Sequence, residues 1–312
     1  MPDAAAIHSA EIMRLADLLR QGEVVAFPTE TVYGLGADAG NPDAVLKIYE
    51  TKGRPRFNPL IVHCADMTMA ESFAEFSPLA RKLAQFWPGP LTLVLPRRAG
   101  ARLSDIVTAG LDTVGIRIPD HPSAQALICA AGVPVAAPSA NPSGRLSPTT
   151  ADQVKKAFAG RVPVLDGGPA KAGVESTILA VTDTVTQLRA GALSREEIEA
   201  AVGMAVGRAA SNSVLLAPGM MASHYAPNAA LRLDAAAPEP GEAYLGFGPG
   251  PAGAANLSPT GDLREAARNL FSMLHTLDET ASRIAVAPIP ETGLGEAIND
   301  RLRRAAAPRS SG

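Results

Sequence analysis

EVVAFPTETVYGLG, residues 23–36, joins an apolar run ending at Phe27–Pro28 to a dense polar cluster: Thr29, Glu30 and Thr31, then Tyr33, Gly34 and Gly36. The apolar half reads as a buried strand. Three hydroxyls and a carboxylate then follow just past its end. The two glycines read as a flexible turn.

Outward from this stretch, strands alternate with helices. On the N-terminal side, Ser9–Arg20 has Ile12, Leu15, Leu18 and Leu19 on one face, with Ser9 placed to cap a helix that Gly22 stops. On the C-terminal side come a helix at 42–53, a strand PLIVHC, a helix at 77–87, strands LTLVLP and VGIRIP, and a helix at 121–132. VPVAAPSA is a strand running into a polar loop, and a helix capped by Thr149 or Thr150 follows it. VPVLDGG, STILAVT and TVTQLRAG read as short strands, and SREEIEAAVG as a helix opened by a capping box of Ser194 and Glu197. This pattern predicts an α/β domain on a mixed sheet. Residues 203–229 carry no period and read as a linker able to dock on the domain. Beyond them a β-α-β-α pattern predicts a small parallel-sheet unit. The expected domains are 1–205 and 230–312, joined by 206–229.

The chain has 312 residues and a net charge of −3, so no global field draws it to nucleic acid or anionic membrane. Cys64 and Cys129 form no CxxC, which argues against a disulfide framework or a zinc site and fits a reducing cytoplasm. The five histidines show no HExxH. No run reaches the roughly 18 apolar residues that span a bilayer, and the N-terminal stretch is not a signal peptide.

Several loops carry candidate chemistry. YETKGRPRFNPLIVH, residues 49–63, crowds Lys52, Arg54 and Arg56 around Gly53 and Pro55, with Asn58 after them. A solvated basic turn would look the same, but a stiff Arg–Pro–Arg loop also suits a triphosphate. No GxxxxGK[ST] and no well-spaced GxGxxG is present, so a nucleotide would have to be held by side-chain cations and hydroxyls. VPVAAPSANPSGRLSPTT, residues 133–150, alternates Ser139, Asn141, Ser143, Ser147 and Thr149 with Pro and Gly. It is either an ordinary turn-rich loop or a prestiffened ligand loop. In DTVGIRIPDHP, residues 112–122, Arg117 interrupts an apolar alternation and points away from Ile116 and Ile118, into a cleft or into solvent. VLDGGPAKAGVESTIL brings Glu175, Ser176 and Thr177 before a strand, and QLRAG sets Arg189 at a strand end. His63 ends PLIVH and is as readily a satisfied core histidine as a functional one.

FPTETVYGLGA, KGRPRFNPLIVH, WPGPLTLVL, GIRIPDHP, APSANPSGRLSPT and GVESTIL, in that order, resemble the YrdC/Sua5 family of threonylcarbamoyl-adenylate synthases. Lys52-x-Arg54 and Ser139-x-Asn141 match its KxR and SxN signature. HYAP at 224–227 and GLGEAINDRLRRAA near the end are similar to the longer Sua5 form. The resemblance implies a twisted mixed-sheet domain with a concave cleft, plus a small Rossmann-like C-terminal domain. It implies a reaction of L-threonine, bicarbonate and ATP, with Mg²⁺, to threonylcarbamoyl-AMP, pyrophosphate and water. The product serves adenosine 37 of tRNA through a separate transferase complex. By motif, Lys52, Arg54, Ser139 and Asn141 would be catalytic. Thr29, Thr31, His63, Arg117, Ser139 and Ser176 would hold threonine, with Arg117 on its carboxylate and Gly34 and Gly36 turning the backbone close to it. Lys52, Arg54, Arg56, Asn58, Thr113, Asn141, Ser147, Arg189 and Tyr225 would hold the nucleotide, with the linker as a lid. No protein metal ligand is implied, and water, Glu30 and His63 are the candidate general bases. GMMASHYAP lacks the basic residue that family members often carry before HYAP, which would weaken the lid's hold on phosphate.

Three other readings compete with this one. A double-stranded RNA-binding module would use the Lys52–Arg56 cluster on phosphates, against the net negative charge. A carbamoyl-transfer enzyme of hydrogenase maturation would need zinc-finger cysteines that this chain lacks. A regulator that kept the fold and lost the activity sits poorly with an intact Lys52, Arg54, Ser139 and Asn141.

Overall fold

A computed structural model describes residues 4–55, 58–209, 225–250 and 254–308. Arg56, His224 and most of the expected lid lie outside the described residues. In chain order the strands are β1 (Val25–Phe27), β2 (Gly34–Asp38), β3 (Ile61–His63), β4 (Leu91–Pro96), β5 (Thr113–Arg117), β6 (Val135–Ala136), β7 (Thr177–Val181), β8 (Val185–Arg189) and β9 (Gly207–Arg208). They form one mixed sheet in the order β1-β2-β6-β3-β5-β4-β7-β8-β9.

Side-chain alternation gives the sheet two different faces. Val62, Leu93, Leu95, Val114, Ile116 and Leu179 join the main core. The helix Pro42–Lys52 lays Ala44, Val45, Ile48 and Tyr49 into that same core. Asn41 caps this helix, and Gly53, in the left-handed region at φ 61°, ends it. The opposite face carries Ile61, His63, Thr92, Val94, Gly115, Arg117 and Ile178. Only Ile61, Val94 and Ile178 form a small buried apolar cluster there. Parallel pairing of β3 with β5 sets His63 directly beside Arg117. Leu91 opposite Thr177 brings the Glu175–Ser176 turn up to β4.

The second unit holds β10 (Ala230–Arg232), β11 (Ala243–Leu245) and β12 (Arg283–Val286) in a parallel sheet of order β10-β12-β11. The helices Leu263–Asp278 and Leu294–Ala306 complete it. Its core runs on into the first unit: Val32, Leu146, Val174 and Ala192 cluster with Leu270, Phe271, Ile298 and Leu302.

Several sequence expectations are corrected. The first helix spans Ala4–Arg20, so Ser9 lies inside it and does not cap it. Gly34 and Gly36 belong to β2 and not to a flexible turn. A Cβ on Gly36 would meet Val135 Cγ1 at 2.6 Å and the Phe27 ring at 2.7 Å, so close packing explains that glycine. VPVLDGG contributes a single bridge, Ala26 to Val164, and no strand. The short helices Met67–Phe73 and Asp105–Thr108, and strands β9 and β10, went unread because they hold too few residues to show a period. The capping box of Ser194 with Glu197 is present as expected, and of the two candidate caps Thr150 is the one used, in a capping box with Gln153. No described helix is long and apolar enough to cross a membrane.

Candidate active site

Where the cleft face meets the loops after β1, β6 and β8, a cavity of about 50 Å³ opens. Of the residues singled out in the sequence, Thr29, Thr31, Arg54, His63, Arg117, Ser139, Ser176, Arg189 and Tyr225 line it, and so does Glu175. Five sequence candidates do not line it: Lys52, Asn58, Thr113, Asn141 and Ser147. Lys52 lies behind the Ser139 loop, where its Nζ donates to the carbonyls of Ser139, at 2.6 Å, and of Asn141. Asn141 donates Nδ2 to the Pro142 and Arg145 carbonyls and fixes the loop from within. Asn58 is fully buried. Thr113 shares Arg117's face of β5 but sits at the strand's other end. Ser147 donates its hydroxyl to Glu175.

The hydroxyls divide their work. Thr29 Oγ1 donates to the Val32 carbonyl at 2.7 Å, which uses its one proton. Thr31 Oγ1, 2.8 Å away, must therefore donate to Thr29 and keeps its lone pairs for the cavity. Thr29 thus shapes the turn, and Thr31 presents an acceptor. The Arg117 guanidinium pairs with Glu30 at 2.7 Å. Glu30 also accepts from the Asp120 backbone N–H at 3.0 Å. With both carboxylate oxygens so engaged, Glu30 is an orienting group for Arg117 and a poor choice of base.

Charge is unbalanced here. Lys52, Arg54, Arg117, Arg189 and Arg301 are buried, against the carboxylates of Glu30 and Glu175. Burial, and then repulsion from Arg54, push the Lys52 pKa well below its ordinary value. Burial brings Arg54 down to about 10, and its Nε has no hydrogen-bond partner among the described residues. Arg189 donates Nε and Nη2 to the Ser176 carbonyl at 3.1 and 2.9 Å, and Nη2 to the Ser176 hydroxyl at 3.1 Å. Gly191 makes this contact possible: a Cβ there would lie 2.3 Å from the Ser176 backbone.

Sequence reasoning left Glu175 without a role and missed Arg301 altogether. Arg301 reaches from the last helix of the second unit to Glu175 at 3.0 Å and to the Ala190 carbonyl at 2.7 Å. Its guanidinium also sits 5.4 Å from the centre of the Tyr225 ring. Burial opposes ionisation of Glu175, yet Arg301 and Arg189, with the Ser147 hydroxyl, hold its pKa below the ordinary value. Nothing in local sequence links positions 175 and 301; only the folded pair of domains does.

His63 stands edge-on to Phe27, with ring centres 5.9 Å apart. Burial, reinforced by Arg117, pushes its pKa from 6.5 down to about 3. Such a ring is neutral near pH 7 and too weak a base to strip an ammonium group. The unfolded chain takes up a proton near pH 6.5 that the folded protein refuses until about pH 3. Stability should therefore fall as pH drops through that window, by about 1.4 kcal/mol per pH unit. Urea unfolding at neutral and mildly acidic pH should show a flatter dependence for His63→Asn than for the wild type. Identical slopes would remove His63 as the source.

Among the described residues no group of three or more His, Cys, Asp or Glu is placed to hold a metal. Both carboxylates at the site are already tied to arginines, so the donor set does not fit a protein-held Mg²⁺.

A family model described as "Telomere recombination" (Sua5/YciO/YrdC) matches residues 17–191. A second, described as "Threonylcarbamoyl-AMP synthase, C-terminal domain", matches residues 193–307. A threonylcarbamoyl-AMP synthase of Bacillus subtilis is 44% identical, over 98% of this chain and 96% of its own. One of Pyrococcus abyssi is 41% identical over 96% and 95%. The crystal structure of P. abyssi Sua5 complexed with L-threonine superposes with a TM-score of 0.85 at 39% identity, covering 96% of this chain and 94% of that one. Matched along nearly its whole length and in both of its units, the chain belongs to the Sua5/YciO/YrdC family, in the form that carries the C-terminal Sua5 domain.

Proposed function

We propose that this protein is a threonylcarbamoyl-AMP synthase. It joins L-threonine, bicarbonate and ATP into threonylcarbamoyl-AMP, releasing pyrophosphate and water. The observation that carries the reading is the buried positive charge at one small cavity: Arg54, Arg117 and Arg189 line it, with Glu175 as the carboxylate among its lining residues. Buried charge in excess of its counter-charges is costly, so the site is built for anions to complete. Threonine, bicarbonate and a triphosphate all supply them.

A cavity of about 50 Å³ holds a few water-sized groups, too little for a nucleotide. Threonine fits its chemistry. Arg117, held in place by Glu30, offers a planar fork to the carboxylate, and Thr31 Oγ1 accepts from the ammonium or hydroxyl group. ATP would lie beside it, with its phosphates towards Arg54 and Arg189 and the ribose and base along the cleft towards Thr113. Tyr225 closes over this region. Mg²⁺ would arrive on the triphosphate, held by phosphate oxygens and water.

In this scheme the neutral threonine amine adds to the bicarbonate carbon, and loss of water leaves a carbamate. A carbamate oxygen then attacks the α-phosphate in line and pyrophosphate departs. Each step brings anions together, so the protein's part is to position them and offset their charge. Solvent takes up the threonine proton, because Glu30 is engaged and His63 is too acidic. Shutting out water protects the carbamate and the mixed anhydride. The product would pass to a separate complex that modifies adenosine 37 of tRNA. The duplex-RNA alternative is disfavoured, because cations buried in a cavity cannot grip a phosphate backbone.

With [¹⁴C]bicarbonate, threonine, ATP and Mg²⁺, the purified protein should form pyrophosphate only when threonine is present. The label should appear in an adenylate. Threonine-independent release of pyrophosphate, or none, would overturn the assignment.

A further inference from the structure

Glu175 is out of place in a cavity built for anions. It is buried, and it lines the cavity beside Arg54 and Arg189. Its two oxygens are engaged from opposite sides. Oε1 accepts from the Ser147 hydroxyl, which ties the loop at 139–147 to the turn at 175–176. Oε2 accepts from Arg301 Nε at 3.0 Å. A carboxylate suits the first bond, because a buried hydroxyl needs an acceptor. Its charge does not suit a phosphate held by Arg54 and Arg189, which would meet a like charge in a poorly screened interior.

Arg301 supplies the counter-charge from the second domain. It projects from the helix Leu294–Ala306 and is 1% exposed. Its Nη1 donates to the Ala190 carbonyl at 2.7 Å and to Asp300 at 2.9 Å. Asp300 has a second cation, Arg304, at 2.8 Å. The charge of Arg301 is thus left to offset Glu175. Arg189 and Lys52 also face this carboxylate with positive charge, and the Tyr225 ring covers Arg301. Burial acts most strongly on Glu175 and disfavours its ionised form. Arg301 is the foremost group opposing that effect, ahead of Arg189 and the Ser147 hydroxyl.

We propose that Arg301 is a positioning residue for the nucleotide: it offsets the Glu175 carboxylate, which can then anchor the Ser147 loop beside the cavity without repelling phosphate. The inference rests on the reading of the site as one that places ATP phosphates against Arg54 and Arg189. It gives the second domain a part in nucleotide binding that a purely structural interdomain staple would not have.

The test is calorimetric titration of the full-length protein with α,β-methylene ATP and Mg²⁺, in the presence of threonine. Arg301→Met should bind the analogue about tenfold more weakly or worse, because a close unit charge in a protein interior is then left unopposed. Threonine, a zwitterion without net charge, should be affected far less. Without Arg301, burial raises the pKa of Glu175, so its carboxylate takes up a proton as pH is lowered from neutral. In the wild type it stays ionised and paired over the same range. The ratio of wild-type to variant affinity should therefore shrink as pH falls, which loss of a staple would not produce. Glu175→Gln keeps Arg301 and an acceptor for Ser147, and should bind the analogue at least as tightly as the wild type. That variant decides the matter should Arg301→Met fail to fold. Unchanged affinity in Arg301→Met, a defect that persists at lower pH, or weaker binding by Glu175→Gln would each overturn the inference alone. No binding by the wild type would overturn the reading of the site and the inference with it.

Discussion

Arg301→Ala is expected to lower the stability of the protein by about 3–5 kcal/mol, the usual cost of stranding one member of a buried ion pair. Arg301 and Glu175 are both buried and meet at 3.0 Å, and the arginine also holds the Ala190 carbonyl and covers Tyr225. Its loss leaves the Glu175 carboxylate with Ser147 and the more distant Arg189. Urea unfolding followed by tryptophan fluorescence and circular dichroism measures the loss. The paired variant Arg301→Met with Glu175→Gln removes both charges and should recover most of it, because the stranded charge, and not the missing contact, carries the cost. A double variant as unstable as Arg301→Ala would refute that explanation.

The second large effect concerns Arg117. Arg117→Ala would strand Glu30 and confuse binding with folding, so Arg117→Lys is the sharper variant. It keeps the positive charge beside Glu30 and loses the planar fork. The threonine concentration needed for half-maximal pyrophosphate formation should rise by about 10²-fold, equivalent to about 2.7 kcal/mol. The ATP requirement should change far less. Stability should stay within about 1 kcal/mol of wild type. An unchanged threonine requirement would take the carboxylate away from Arg117. A parallel rise for ATP would place Arg117 on phosphate instead.

Much of this site could be read one loop at a time. Thr31, Arg54, His63, Arg117, Ser139, Ser176 and Arg189 all stand at strand ends or in stiff loops, where polar residues interrupt apolar runs, and all line one cavity. Arg117 was legible because period-two alternation sets it against Ile116 and Ile118. The unread part is what only tertiary structure decides. Lys52 carries the charge of a phosphate ligand, but its ammonium is spent on two loop carbonyls. Gly34 and Gly36 look like turn glycines because a residue with no side chain serves close packing as well as sharp turning. Glu30 and Arg117 lie 87 positions apart in the numbering, Glu175 and Arg301 126 apart. No local pattern couples such pairs. The small second domain was visible as a unit, but its contribution to the candidate active site was not.

The shared apolar cluster bears on how this chain can evolve. Val32 and Leu146 come from the two loops that frame the candidate catalytic cavity, and both pack into the same core as Phe271 and Leu302. The C-terminal domain is therefore no detachable accessory. A lineage that shed it would have to recast these loop positions as water-tolerant residues and find a new neighbour for the acid at 175, all before the shortened gene product could hold its shape.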